Sequence, residues 1–437
     1  MNPKKPLCAR FFSLGFGILL PSLIFGQWNN PPSKKILENG LTVIMQQDDS
    51  SAITVVEIFI KGGRRAEPSG KEGLSYLTTR LSLEIPDRAK AIALMEKSSR
   101  YMMASKGDFS LIHIECLTDF LADTLGVFSA ILKDPLFSGI RFDRVVEDMN
   151  DQRKIESDDN LNIGHLTHLR TFLGNIGYAG SVFGEETALK KIKVRDVEGF
   201  HKSYFSAGNM ILAVVSDLDG GKLLEMLNKY FGSLPPGKAP EGISAAAQKD
   251  LPELPLETAV EKDTKQNLVS LGYALPRISR RNYALNTVLD ILLGKGPGSR
   301  LWPLRSEQKL AYNVNSQITA MIEGGILEAF LETDSGKRET AKEGLKKVIA
   351  RLHEQGVSSD ELLEAKTMVK ANFLRANETK AKKVETLGSF EALGLGIDYF
   401  KGYFAEIEAV TVDEINAYIK DVLDPKKASL IVVGPKR

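Results

Sequence analysis

The side chains best suited to hold a metal or carry a proton are few in this chain. Of five histidines, only His165 and His168 stand close, three apart in the stretch Gly164–Arg170 (GHLTHLR). That spacing lets two imidazoles share one face of a helix. A metal site needs further ligands, and no third one follows nearby, so the pattern fits two surface histidines as well. His113, His201 and His353 are isolated and read as core-edge or surface residues. The two cysteines, Cys8 and Cys116, cannot form a disulfide framework or a multi-thiolate metal site. No G-x-S-x-G elbow occurs and no Ser/His/Asp arrangement stands out. Gly294, Gly296 and Gly298 are not followed by Lys-Ser or Lys-Thr at phosphate-loop spacing. They are consistent with a turn that needs positive φ.

These residues sit in a chain of 437 amino acids that is 43% hydrophobic and 26% charged. That excludes a disordered tail, a collagen-like repeat and a polytopic membrane protein. At roughly 100–200 residues per domain, two to four domains are expected. Lys and Arg total 57 against 56 Asp and Glu, for a formal net charge of +1. Such balance argues against nucleic acid as a partner, since bulk positive charge is what attracts it.

The first 26 residues form a targeting segment. Lys4, Lys5 and Arg10 precede an apolar run from Phe11 to Gly26. The run is shorter than the ~20 residues that a helix needs to span a bilayer. A basic start, a short apolar run and a small residue at its end predict a secretory signal, residues 1–26, and a periplasmic mature protein without a membrane span. The competing reading is an uncleaved anchor. Cleavage near Gly26 would leave Cys116 as the sole cysteine.

The mature chain divides in two. Residues 234–255 (LPPGKAPEGISAAAQKDLPELP) are dense in Pro, Gly and small residues and carry no apolar period, as in a linker. It separates an N-terminal domain, 27–233, from a C-terminal domain, 256–437. The two echo each other. Val197–Phe200, Tyr204–Phe205 and Asn209–Ser216 align at a constant offset of 218 with Ile415–Tyr418, Val422–Leu423 and Lys427–Gly434. Each reads as an amphipathic helix leading into a buried strand, and a repeat this long means a duplicated domain. Strand-like runs open both halves (Leu41–Met45, Ile53–Lys61 and Leu268–Tyr273). Helical stretches follow at 73–83, 117–132, 142–156, 282–293 and 341–353. The expected fold class is α+β: two homologous domains, each a mainly antiparallel sheet with helices packed on one face.

Residues 61–81 read KGGRRAEPSGKEGLSYLTTRL. This resembles the start of insulinase/pitrilysin-type zinc peptidases, the inverzincins, which typically read GSR-x-E-P, then G-L-A-H-F-L-E-H-M. Gly63 to Pro68 and Gly73-Leu74-Ser75 keep that frame, and the resemblance covers nearly the whole mature chain. The family's catalytic helix carries H-x-x-E-H, with two zinc-binding histidines and a glutamate that activates water. Here Tyr76 stands at the first histidine, Thr79 at the glutamate and Arg80 at the second histidine. A neutral phenol is a poor zinc ligand, a threonine is no base near neutral pH, and a guanidinium has no lone pair to offer. The third family ligand, a glutamate in a segment like V-I-L-R-E-M, corresponds to Asp148. The expectation is that this half binds no metal and that Asp148 contacts Tyr76 or Arg80 instead.

The second half keeps more of the pattern. The family segment S-R-L, L-R, L-x-Y is matched by Ser299-Arg300-Leu301, Leu304-Arg305 and Leu310-Ala311-Tyr312. Arg305 and Tyr312 lie seven apart, about two helical turns, so a continuous helix would place both on one face. In the family this pair reaches the zinc-bearing domain: the tyrosine stabilises the oxyanion and the arginine holds substrate. The resemblance further implies that the strand holding Phe109 and Leu111 is a sheet edge that pairs with extended substrate. Met103-Ala104 departs from the family's Asn-Ala just before that strand. The stretch Gly294, Gly296, Gly298 is similar to one in non-catalytic subunits of processing-peptidase-like enzymes, where it is associated with substrate handling. The implied protein is a non-catalytic subunit without a cofactor of its own. Its partners would be a zinc-bearing subunit of the family and a peptide substrate. The alternative is a stand-alone peptide-binding or scaffold protein.

Overall fold

A computed structural model describes residues 30–174, 177–238 and 251–436. The signal reading of residues 1–26 and most of the linker lie outside the described residues. Among those described, no helix is long and apolar enough to cross a membrane.

Near-continuous apolar runs such as Ile53–Lys61 (ITVVEIFIK) predict strands buried on both faces, and that is how they fold. Among the described residues, the first half forms a six-stranded sheet from β1 (Ser33–Ile36), β2 (Thr42–Gln47), β3 (Ile53–Lys61), β4 (Arg100–Ser105), β5 (Phe109–Leu117) and β6 (Met210–Ser216). Its order is β1-β2-β6-β3-β5-β4. The second half forms a five-stranded sheet from β7 (Leu256–Glu261), β8 (Gln266–Leu275), β9 (Asn313–Met321), β10 (Gly324–Asp334) and β11 (Ser429–Gly434), ordered β7-β11-β8-β10-β9. Apart from β1 the two orders are the same. In each sheet one pair is parallel, β2 with β6 and β7 with β11, and the rest are antiparallel.

The first half also carries α1 (Leu74–Ser82), α2 (Arg88–Glu96), α3 (Leu121–Lys133), α4 (Gly139–Glu156), α5 (Asn160–Leu173), α6 (Glu186–Leu189), α7 (Val194–Tyr204) and α8 (Gly220–Phe231). The second carries α9 (Arg280–Gly294), α10 (Trp302–Ser306), α11 (Arg338–Gln355), α12 (Ser359–Arg375), α13 (Lys380–Ala392), α14 (Ile397–Glu408) and α15 (Val412–Val422). Helices α7 and α15 begin and end 218 residues apart, the offset read from the sequence.

Each half's own helices cover one face of its sheet. On the first sheet Val56, Ile58 and Ile60 join Leu77, Leu125 and Val197 in one buried cluster. The opposite face is covered by the other half. Val55, Phe59 and Ile211 pack with Val384 and Leu387 of α13. In return, α5 lies on β8, β10 and β11, where Leu161 and Ile163 meet Leu268, Phe330 and Ile431. A continuous apolar run along a strand signals two buried faces but says nothing of which helix supplies the second cover.

Each exchanged helix crosses its host sheet on a glycine. A Cβ at Gly164 would stand 2.6 Å from Leu268, and one at Gly388 would stand 1.9 Å from the Phe59 ring. Polar contacts seal the exchange. Buried Lys380, at the start of α13, donates to the carbonyls of Ser51 (2.6 Å) and Ile53 (2.8 Å). Between the halves, Arg65 reaches Glu323 at 3.1 Å and buried Asp108 accepts the Ile322 N–H at 3.1 Å. Replacing Gly388 by Ala should lower the unfolding free energy by about 1–3 kcal/mol through overpacking, with Phe59→Leu recovering part of the loss. Urea titration checks this, and unchanged stability in Gly388→Ala would contradict the close crossing.

Candidate functional site

Helix α1 begins where the chain turns sharply. Gly73 takes φ of 95°, and a Cβ there would meet the Phe183 carbonyl oxygen at 2.9 Å, so glycine is required. The first turn is capped from upstream: the Glu67 carboxylate accepts the N–H groups of Gly73 (3.1 Å) and Ser75 (2.8 Å). A carboxylate at a helix N-terminus satisfies free donors and complements the dipole. Burial pushes Glu67 up to about 8, against the pull of the two backbone bonds and of Arg64. This anchor was missed in the sequence, where Glu67 served only to recognise the frame.

Leu74, Leu77 and Leu81 fasten α1 into the core. The positions of the family's metal and base then show their replacements. Tyr76 is half-buried edge-on to Phe183, with ring centroids 5.0 Å apart, and burial raises its pKa. Thr79 is fully buried and its hydroxyl donates to the Ser75 carbonyl at 2.8 Å. The Ser75 hydroxyl in turn lies 3.0 Å from Ser110 and 3.2 Å from Ser105 on the neighbouring strands. Arg80 donates to Glu84 at 2.7 Å, and Arg144 of α4 donates to the other oxygen of Glu84 at 2.7 Å. Burial alone would raise Glu84, but the hydrogen bond from Arg144 and the charge of Arg80 outweigh it and hold the carboxyl below the usual range.

Asp148 meets expectation only in part: after burial, its charge also acts to raise the Tyr76 pKa. It is exposed on α4, and among the described residues no hydrogen bond or ion pair joins it to Tyr76 or Arg80. Glu84, just past the C-terminal end of α1, takes the arginine. A high-pKa phenol, a sealed threonine and a carboxylate-paired guanidinium do not fit zinc. Among the described residues no three His, Cys, Asp or Glu side chains gather as a metal site either.

Beside this helix lies a cleft of about 540 Å³ lined by Tyr76, Arg80, Leu83, Glu84, Tyr101 and Met102. Its far wall is β4, and this corrects the expectation for Phe109 and Leu111. Their strand, β5, is paired on both sides, by β3 and by β4. Both side chains are core residues, 4% and 7% exposed, so neither their backbone nor their side chains face substrate. Among the described residues the sheet's edges are β1 and β4, and it is β4 that borders the cleft, with Tyr101 and Met102 exposed. The run RYMMAS is short and has no β-branched residue, whereas β5 carries Ile112 and Ile114, which is why the longer β5 drew attention instead.

Arg305 and Tyr312 also depart from expectation. Helix α10 ends at Ser306, Lys309 takes φ of 52°, and Tyr312 sits in a bend just before β9, its N–H donating to the Glu332 carbonyl at 3.1 Å. No common helical face exists. Arg305 lies in α10 and Tyr312 just before β9, and two buried leucines tie this stretch down. Leu304 and Leu310 are joined by a 2.9 Å backbone bond and sit over Gly344 of α11. Arg305 projects outward with its guanidinium carbon 5.1 Å from the centre of the Trp302 ring, and Tyr312 is 63% exposed.

The glycines differ among themselves. Gly294 is buried, and a Cβ there would stand 2.2 Å from the Ser316 nitrogen of β9, so it lets α9 approach its sheet. Gly296 has φ of 88°, the turn expected of it. Only Gly298 is exposed.

His165 and His168 are not surface residues. They are on α5 and face the second sheet. His165 Nδ1 lies 2.6 Å from Glu328, and His168 is fully buried, its Nε2 2.9 Å from the Ser270 hydroxyl and its ring where a Cβ of Gly272 would be. Burial pushes His168 down to about 3. An unfolded histidine titrates near ~6.5, so the unfolded chain binds the extra proton first as pH falls. The stability owed to neutral His168 is complete above that value and is lost as pH drops toward 3. His168→Gln should flatten this part of the stability–pH curve in urea titrations, and an unchanged slope would contradict the assignment.

Comparison with known proteins agrees with this geometry. Residues 191–369 match the family model described as peptidase M16 inactive domain. A Helicobacter pylori relative named as a non-peptidase homolog is 22% identical over 92% of this chain and 94% of its own length. A second protein of the same organism, named as a zinc protease, is 24% identical over 91% and 88%. A solved peptidase M16 inactive domain from Pseudomonas fluorescens superposes with a TM-score of 0.83 at 20% identity, covering 93% of this chain and 98% of that one.

Proposed function

Because the chain is a homologue of the M16, or insulinase-type, zinc peptidases and carries their inactive domain, we propose that it is the non-catalytic member of a two-chain zinc peptidase acting on peptides. The observation that carries this reading is the pairing of Arg80 with Glu84 where the family has a metal ligand. The guanidinium has no lone pair to offer an ion and is already held by a carboxylate. In Helicobacter pylori one relative is named as a non-peptidase homolog and another as a zinc protease, which supports a division of roles between two chains. The zinc-bearing subunit would supply the metal and the base. This chain would supply half of the substrate chamber and the stretch from α10 to β9.

There, Tyr312 would donate its hydroxyl proton in a hydrogen bond to the oxyanion forming on the scissile carbonyl, and Arg305 would hold the substrate backbone. The open edge of β4 offers N–H and C=O groups to an extended peptide. Tyr101 and Met102 beside it suit an apolar side chain. The targeting segment at 1–26 would place the assembly across the inner membrane, in the periplasm. A second reading, a peptide-holding protein with no catalytic partner, is favoured by the same open edge and its cleft.

Reconstitution with a zinc-bearing partner separates the two. Tyr312→Phe should lower kcat of the pair about 10²-fold, the size of effect seen when one oxyanion donor is removed. Arg305→Ala should act mainly on KM. If the pair forms and neither variant changes its kinetics, the role in trans is wrong. If no partner raises turnover while the chain still binds peptide, the second reading stands.

A further inference from the structure

The internal repeat provides a template for a surface that neither the peptidase fold nor the proposed site explains. In the first half, α8 follows β6 and lies across β2 and α3. Its Leu223, Leu227 and Phe231 are buried, and the Asp219 side chain caps its first turn. Asn39 donates to the Phe231 carbonyl at 2.8 Å, and the Ala207 N–H donates to the Pro235 carbonyl at 2.9 Å as the chain leaves. Among the described residues no helix takes the corresponding place in the second half. A groove of about 380 Å³ lies open there, walled by β7, β8, α11 and the start of β11.

The correspondence holds residue by residue. Ala207, Met210 and Leu212, buried with the α8 side chains, map at the offset of 218 onto Pro425, Ala428 and Leu430, which line the groove. Ile211 faces Thr42 across the parallel pair, and Ser429 faces Leu256. Leu41 and Val43 therefore map onto Pro255 and Glu257, both in the groove wall. Leu212 faces Ile58 and Leu430 faces Leu271, so Ile58 and Ile60 map onto Leu271 and Tyr273, again groove residues.

Three of the replacements shape the groove. Ala428 replaces Met210 and deepens the floor. Pro425 replaces Ala207 and has no N–H to leave unpaired. Glu257 replaces Val43 and forms ion pairs with Lys342 and, at 3.9 Å, with Lys346, giving the lip a carboxylate and an ammonium.

We propose that this groove receives an amphipathic helix from a partner protein, bearing apolar residues at i, i+4 and i+8 as α8 does at Leu223, Leu227 and Phe231. Helix-in-groove docking reads just such a stripe. The inference rests on the repeat and is independent of the role assigned to Arg305 and Tyr312.

The test uses the full chain and a labelled synthetic peptide of residues 218–236, the α8 segment itself, followed by fluorescence anisotropy. Saturable one-site binding is expected. A peptide carrying Leu223→Asp and Leu227→Asp should not bind. Ala350→Trp, which fills the groove from α11, should weaken binding at least ~10-fold, as loss of a central apolar anchor does. If that variant does not fold, Ala350→Met, a smaller filler at the same position, serves in its place. Absence of saturable binding, or equal binding to the filled variants, would overturn the proposal. So would an apolar dye that occupies the groove without being displaced by peptide. Self-association that Ala350→Trp abolishes, in a chain that ignores the peptide, would assign the groove to a second copy and equally overturn it.

Discussion

The structure depends on an exchange of helices forced by strand composition. Strands such as β3 and β6 are apolar on both faces, and a sheet cannot leave either face in water without losing the burial that stabilises it, about 25 cal/mol for each Å². Each half's own helices cover one face. The other is covered by α5 on the second sheet and α13 on the first. Glycines at the two crossings, Gly164 and Gly388, allow the close approach, and Lys380 and Asp108 bind backbone groups across the seam. The two domains are thus one folding problem, with a core that includes residues from both.

That constraint shapes the site. Helix α1 is held by leucines on one side and by a file of small hydroxyls on the other, where Ser75 meets Ser105 and Ser110. Thr79 is fully buried with its hydroxyl turned back to the Ser75 carbonyl, and Arg80 has turned to Glu84. The groove beside α11 shows the same economy of reuse: the second half repeats the wall of the first and leaves the helix position open.

The duplication was legible in the sequence because both copies keep the helix and strand that end each half; α7 and α15 share their offset at both ends. The replacements at Tyr76, Thr79 and Arg80 were legible because a motif is a statement about residue types. What failed were inferences that needed tertiary context. Seven residues separate Arg305 from Tyr312, but Leu304 and Leu310 draw the chain into the core and end the helix between them. Phe109 and Leu111 lie in a strong strand, and strength of that kind signals an interior strand with two neighbours; the edge fell to the weaker β4. His168 looked solvated because a helix from one half was not foreseen beneath the sheet of the other.

The central claim is that this polypeptide has no metal chemistry of its own. Elemental analysis of the purified chain after equilibration with zinc, paired with a fluorogenic peptide assay on the same sample, addresses it most directly. The account predicts far less than one zinc per chain and no hydrolysis above buffer. One tightly held zinc per chain, with turnover that a chelator abolishes and added zinc restores, would contradict it.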